Sequence, residues 1–327
     1  NVIDINFYPT PEAKNSNQRH RPIGLGLMGF QDMLYILRAA NESEQAVELA
    51  DRTMEFISYH AILASTRLAA ERGPYSSYQG SKWARGHLPM DTVEILAQER
   101  GGYVEVDRSA ALDWTAVREA VKQNGMRNSN VMAIAPTASI SIICGGSSPG
   151  IEPNAANAYT HKTLSGSFSV RNKFLKALLA EKGKDDDDTW SSITVNEGSV
   201  QHLDFLSDDE KDVFKTAFEL DQRWLIDHAG DRAEYICQSQ SLNVFLPADV
   251  HKKTLHDVHW RAWEKGVKSL YYCRSKSIAR AESHASDSVT GATANTATAP
   301  ANGNFEPLPL AAAGENENDY EECLSCQ

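Results

Sequence analysis

Apolar residues return at spacings of three and four over one long stretch of the chain. Between Asn41 and Arg72 they fall at Val47, Ala50, Met54, Ile57, Ala61, Ala64 and Leu68, which predicts a single long helix. Asn41 suits its N-cap, Glu44 follows three residues on as in a capping box, and Gly73-Pro74 stop it. The same spacing predicts a second helix from Asp113 through Val117, Ala120 and Val121 to Gly125. A third starts at Ser207, with Glu210 three on, and buries Val213, Phe214, Ala217 and Leu220. A fourth follows Pro247 and ends before Gly266.

Short apolar runs separate these helices: Val131 to Ala135, Ser241 to Leu246 and Val267 to Cys273. Each is rich in β-branched or aromatic residues, the pattern of a buried strand in an α/β protein. Strands that follow helices suggest parallel crossover units, in an open sheet or a barrel. The run Asp185 to Asp188 is expected to be a solvated loop insertion. After Arg280 the composition breaks. Residues 281–327 hold no Lys or Arg and eight acidic residues, with Ala, Asn, Thr, Gly and Pro dominant. Such a stretch buries too little apolar surface to offset its ordering entropy, so a disordered tail is expected.

Charge and composition narrow the function classes. There are 32 basic and 44 acidic residues, a net of −12, with no basic block, which argues against broad nucleic-acid binding. No apolar run of membrane-spanning length and no signal peptide occurs in the sequence. Five cysteines in 327 residues make no disulfide framework, so a reducing, cytoplasmic setting is expected. The chain opens Asn-Val-Ile-Asp-Ile-Asn-Phe, without Met and already in apolar alternation, and reads as a fragment such as a split gene product or a processed subunit.

Several segments could carry chemistry. Gly24-Leu-Gly26-Leu-Met-Gly29 fits the GxGxxG dinucleotide pattern, but the residues before it are polar and basic and Pro22 removes a strand donor. Glycines that let a helix pack closely on neighbouring backbone are the better reading. Ala135-Pro136-Thr137-Ala138-Ser139-Ile140-Ser141 leaves a strand and enters a possible helix start. Its free N–H groups would suit a phosphate, or Thr137 or Ser139 would simply cap the helix; the pattern does not choose. Tyr271 and Tyr272 are adjacent, and strand alternation predicts one core and one surface tyrosine. Cys323 and Cys326 form a CxxC near the end of the tail, without the further ligands a metal site needs, so they read as a mobile dithiol. His251, His256 and His259 read as surface histidines, and no metal site is expected. Cys144, Cys237 and Cys273 read as buried small apolar residues.

Together these pieces resemble the large, catalytic subunit of class I ribonucleotide reductase, from about Arg19 to Arg274 and again at the tail. Arg21 to Gly29 is similar to the family's glycine segment, which removes the dinucleotide reading. Arg127-Asn128-Ser129 with Ala135 to Ser139 resembles its substrate-phosphate loop. Gly150-Ile-Glu-Pro153 and Gln238-Ser-Gln-Ser-Leu-Asn243 are also family-like. Leu270-Tyr271-Tyr272 is similar to its paired radical-relay tyrosines, and the terminal CxxC to the dithiol that re-reduces the active site.

The resemblance implies an α/β fold: the second half of a ten-stranded α/β barrel, with parallel strands and crossover helices, over residues 1–280. Residues 281–327 would be a flexible acidic tail carrying the redox CxxC. It implies reduction of ribonucleoside diphosphates to 2′-deoxyribonucleotides by thiyl-radical chemistry. Tyr271, Tyr272, Cys323 and Cys326 would be the catalytic residues, and Thr137, Ala138, Ser139 and Ile140 would bind substrate phosphate. No cofactor would be bound directly by this chain, because the radical metallocofactor lies in the small subunit. Thioredoxin or glutaredoxin would be the reductant, and an upstream part of the catalytic subunit a further partner. No nucleic-acid polymer or membrane partner is implied. The Asn-x-Cys-x-Glu finger loop of the family is not in these residues, so the chain alone is expected to be inactive. Two other readings stay open: a non-catalytic fragment that binds nucleotide or the small subunit, and the adenosylcobalamin-dependent class, against which the tyrosine pair argues.

Overall fold

The computed structural model describes residues 1–163 and 166–276. The expected tail, with Cys323 and Cys326, lies outside the described residues. In chain order the elements begin with α1 (Val2–Ile5), α2 (Pro11–His20), α3 (Phe30–Leu37) and α4 (Glu44–Arg72). Then come α5 (Asp91–Glu99), α6 (Thr115–Asn124), α7 (Ala138–Ile143), and the strands β1 (Ala158–Thr163) and β2 (Gly166–Arg171). The remainder are α8 (Lys173–Glu181), α9 (Asp187–Val195), α10 (Asp208–Val213), α11 (Gln222–Ala233), β3 (Val244–Pro247), α12 (Lys252–Glu264) and β4 (Cys273–Lys276).

The longest helix follows its sequence pattern closely. Ala46, Val47, Ala50, Met54, Ile62 and Ala69 form the buried stripe of α4, which packs against α6 and α11. Its cap is Ser43, whose Oγ accepts the Ala46 N–H at 3.2 Å. Asn41 is instead buried, and donates to Gln31 Oε1 at 3.1 Å. At the other end Gly73 takes φ +79°, where an L side chain would be strained. Ser207 and Glu210 form both halves of a capping box on α10. That helix stops at Val213, so Phe214, Ala217 and Leu220 are buried from the turns that lead into α11. The acidic run Asp185 to Asp188 is exposed, as expected, but it opens α9 rather than forming a loop insertion. Asp186 caps α9 by accepting the Thr189 N–H at 2.8 Å, and Asp185 accepts the buried Trp190 Nε1–H at 2.7 Å.

Four extended stretches build a parallel ladder in chain order. Ile23 and Leu25 donate to Asn130 and Val131 at 3.0 and 2.7 Å, and Ala133 donates back to Leu25 at 3.0 Å. Ile134 donates to Ser239 at 3.1 Å, and Ser241 donates back to Ile134 at 2.9 Å. Leu25↔Met132 and Ile134↔Gln240 are both parallel bridges. Tyr271 then donates to Leu242, and Val244 to Tyr272, each at 2.9 Å, ahead of the β3–β4 pairing. Helices fill every connection, as crossover units require. Among the described residues this is an open arc of wall and not a closed barrel. The last strand is Cys273–Lys276, so it begins where the Val267 to Cys273 run was expected to end.

The glycine segment is part of this wall. A Cβ on Gly26 would lie 2.2 Å from the Ala133 carbonyl oxygen, so only glycine lets the two backbones approach. The close packing is therefore strand on strand, and Gly29 then opens α3. The main core, with Leu34, Met54, Ile62, Val117, Met132, Ile134, Leu225 and Phe245, lies between the wall and its helices. A second cluster around Leu175, Leu179, Trp190, Ile193 and Phe214 closes the β1–β2 hairpin region.

Candidate functional site

The loop Ala135 to Ser141 leaves the end of the second ladder stretch and turns into α7. Thr137 takes φ 57° at the N-cap position, and its side chain makes no capping bond. Its Oγ1 instead accepts the N–H of Gly150 at 2.7 Å. The first bond of α7 is donated by Ser141 to the Thr137 carbonyl at 2.8 Å. The amides of Ala138, Ser139 and Ile140 lie ahead of that bond, as at any helix start. Neither Thr137 nor Ser139 is thus a simple side-chain cap. Ser139 and Ile140 are exposed, and Ile142 and Ile143 project beside them.

Three sequence motifs meet at this loop. Gly29 donates to the Ser148 carbonyl at 2.8 Å and Asp32 N–H to Ser148 Oγ at 3.2 Å, which ties the glycine segment to the 148–153 turn. Thr137 ties the same turn to the loop. Glu152 then reaches the strand Gln238–Asn243. Its Oε1 accepts from Asn243 Nδ2 at 2.5 Å, and Asn243 Oδ1 accepts the Tyr272 N–H at 3.0 Å. Burial raises the Glu152 carboxyl above its ordinary range, against the opposing pull of Arg274 and of the Asn243 hydrogen bond.

Tyr271 and Tyr272 do not divide between core and surface. Both are half-exposed, at 46% and 45%. Their ring centroids lie 4.1 Å apart at 50°, and Tyr271 Oη donates to Tyr272 Oη at 3.5 Å. Two phenols at that separation can exchange an electron and a proton without a bridging group. The sequence singled out the Gly150 and Gln238 motifs without assigning roles to Glu152, Asn243 or Arg274. No signal in the sequence alone joins them, because Glu152 and Asn243 lie far apart along the chain and meet only in the fold.

Other candidates fall elsewhere. Cys144 and Cys273 are exposed and Cys237 is half-buried, so none is a fully buried apolar filler. Val131 and Met132 donate their N–H groups to Cys237 Sγ at 3.1 and 3.2 Å. His251 caps α12 through its Nδ1, which accepts from Lys253 at 3.1 Å, and His256 stacks on Trp260. No helix among the described residues is long and apolar enough to cross a membrane.

Comparison with known proteins gives this wall-and-loop arrangement a family. Residues 1–273 match the family described as ribonucleotide reductase, barrel domain. The chain belongs to that family, and its ladder is part of an α/β barrel. It is 46% identical over 283 residues to the ribonucleoside-diphosphate reductase subunit alpha of Chlamydia pneumoniae, covering 86% of this chain and 27% of that protein. It is 38% identical over 276 residues to the large subunit from Caenorhabditis elegans, covering 84% of this chain and 33% of that protein. Among solved structures, the Actinobacillus ureae class Id ribonucleotide reductase alpha subunit superposes with a TM-score of 0.63 at 32% identity. That match covers 82% of this chain and 42% of the other. The chain thus spans about a quarter to a third of the length of these curated relatives.

Proposed function

We propose that this chain is the C-terminal part of a ribonucleoside-diphosphate reductase large subunit and works only when joined to the upstream part. The observation that carries the reading is the Tyr271–Tyr272 pair, with its phenols 3.5 Å apart and half-open to solvent. A small subunit supplies the radical from its own metallocofactor. Tyr272 and then Tyr271 pass the oxidation inward, each losing an electron and its phenolic proton and recovering both from the next group. The final acceptor is a cysteine of the upstream part, whose thiyl takes the ribose 3′ hydrogen.

The amides of Ala138, Ser139 and Ile140, with Thr137 at the head of the loop, hold the substrate phosphates. Their support is the position of these N–H groups before the first bond of α7 and the tie from Thr137 to Gly150. Loss of the 2′ hydroxyl as water leaves a disulfide from two active-site thiols. Cys323 and Cys326 reduce it by exchange and are themselves reduced by thioredoxin or glutaredoxin. The deoxyribonucleotide product serves DNA synthesis, in the cytoplasm.

Complementation tests this. The chain is expressed with an upstream large-subunit segment carrying the finger loop, and small subunit, thioredoxin and a ribonucleoside diphosphate are supplied. Deoxyribonucleotide should form with both segments present and with neither alone. A lack of product with every upstream partner would leave the non-catalytic reading in its place.

A further inference from the structure

We propose that Asn243, braced by Glu152, is the positioning residue that sets the Tyr271–Tyr272 ring pair. The inference rests on the relay reading for its catalytic consequence, while its structural content stands on the hydrogen bonds alone.

In a regular strand successive N–H groups point to opposite edges and successive side chains to opposite faces. Here two successive amides turn to the same neighbour. Tyr271 N–H reaches the Leu242 carbonyl at 2.9 Å, and Tyr272 N–H reaches the Asn243 side chain at 3.0 Å. The Tyr272 carbonyl accepts from Val244 on that same strand at 2.9 Å. The backbone is therefore bent as in a bulge, and alternation is lost at these two residues. That is why both rings emerge together, with centroids 4.1 Å apart.

The bend depends on one amide side chain. Asn243 is 1% exposed, and its two bonds select one orientation. Nδ2 can only donate to the Glu152 carboxylate, and Oδ1 can only accept from the Tyr272 N–H. A flipped amide would set oxygen against carboxylate and NH2 against N–H, so Glu152 fixes the orientation that Tyr272 needs. Glu152 is held in turn. Its own N–H donates to Pro149 at 3.0 Å, its carboxyl lies in the field of Arg274, and Gly150 two residues before it is tied to Thr137. The loop assigned to substrate phosphate and the ring pair are thus joined through Gly150, Glu152 and Asn243. A substrate that orders the loop would also steady the rings.

The test uses the reconstituted reductase for rates and a fluorotyrosine at position 272 of this chain for ring position, read by 19F NMR. Asn243→Ala should lower kcat by about 100-fold with KM changed less than about twofold, the size expected for a small misplacement of reacting groups. Its fluorine resonance should move from the wild-type position. Glu152→Ala should do the same, and it decides the matter if Asn243→Ala does not fold. Glu152→Gln keeps Oε1 as acceptor for Asn243, so it should stay within about threefold of wild type and restore the resonance. Wild-type fluorine resonances in both alanine variants overturn the proposal. So does wild-type kcat in both of them while Tyr272→Phe is inactive. Full activity of Tyr272→Phe would instead remove the relay reading, and the fluorine spectra would still decide whether Asn243 places the ring.

Discussion

Two regions of the molecule handle polar groups in opposite ways. Between α4 and α11 ionisable side chains are buried deep and strongly perturbed. Burial pushes Asp51 up to about 7 against the pull of Arg52, and Glu234 up to about 8. Burial, with Arg232 beside it, drives His228 down to about 3. Glu55 accepts three donors there: the amides of Ala111 and Leu112 and Trp114 Nε1, at 2.9 to 3.1 Å. At the loop end, by contrast, apolar and aromatic groups stand open: Ile140, Ile142, Ile143, Tyr271 and Tyr272. Glu152 is the perturbed carboxyl at that end.

The difference bears on which signal points to the proposed site. Perturbed titration is often taken as a pointer to an active site, but ion-pair networks inside a wall perturb it as well. Asp51 lies in α4, His228 in α11 and Glu234 at the end of α11, so none of the three belongs to the loops that the motifs share. The loop end instead combines exposed apolar side chains with a buried amide, Asn243, and a partly buried carboxyl, Glu152, that hold backbone in place.

The largest expected effect is at the open end. Tyr271→Phe and Tyr272→Phe should each reduce turnover of the reconstituted enzyme to background, because phenylalanine keeps the ring and loses the oxidisable phenol. Thermal unfolding of the chain should shift little, since both tyrosines are half-exposed and the bond between their hydroxyls is long, at 3.5 Å. Measurable multiple turnover in either variant would leave the ring pair as packing only.

At the helical side the expected effect is on stability and follows pH. A carboxyl raised on folding stabilises the native state below its unfolded value, and that contribution is lost as pH rises through its folded value. For Asp51 the window runs from 3.8 to about 7, and for Glu234 from 4.5 to about 8. His228 works the other way, losing stability as pH falls from 6.5 towards 3. Between pH 6.5 and 8 the raised carboxyls therefore dominate, and unfolding free energy should fall with pH. The slope is at most about 1.4 kcal/mol per pH unit for each carboxyl still protonated. Denaturant titrations at pH 6.5 and 8 measure it. Asp51→Asn with Glu234→Gln should flatten it, and an unchanged slope would place the titrating groups elsewhere.

Much of the helical side was legible in the sequence. The α4 stripe, the Ser207–Glu210 box and the Gly266 stop are local signals, and each acts within a few residues. The wall was legible where apolar residues run together, at Val131 to Ala135. It was not legible at Ile23 to Gly26, because Pro22 and the glycines hide a strand whose only requirement is close backbone approach. The Asp185 to Asp188 run misled because charge alone does not show that Asp186 is a cap and Asp185 a partner for Trp190. The tyrosine pair was visible as a pair, but its geometry depends on a side chain 29 residues away in Asn243. No local rule carries that contact. The tethering of the loop through Thr137 and Gly150 is hidden for the same reason.

The smallest expected effects separate two hydroxyls on one loop and bring the comparison down to single atoms. Thr137 Oγ1 accepts the N–H of Gly150, which is buried and takes φ 47°. Thr137→Val keeps the shape and strands that N–H, so it should cost about 1–3 kcal/mol of stability by denaturant unfolding. Thr137→Ser keeps the oxygen and should cost far less. Ser139 lies two residues on, exposed, and the proposed role of the loop gives its side chain a place beside the substrate phosphates. Ser139→Ala should leave unfolding unchanged and weaken ribonucleoside diphosphate binding to the reconstituted enzyme by one hydrogen bond, about 0.5–1.5 kcal/mol. Calorimetric titration with substrate reads that difference. If Ser139→Ala instead destabilises the chain while binding is untouched, the second hydroxyl belongs with the first, as part of the scaffold, and the phosphate contact must come from the backbone alone.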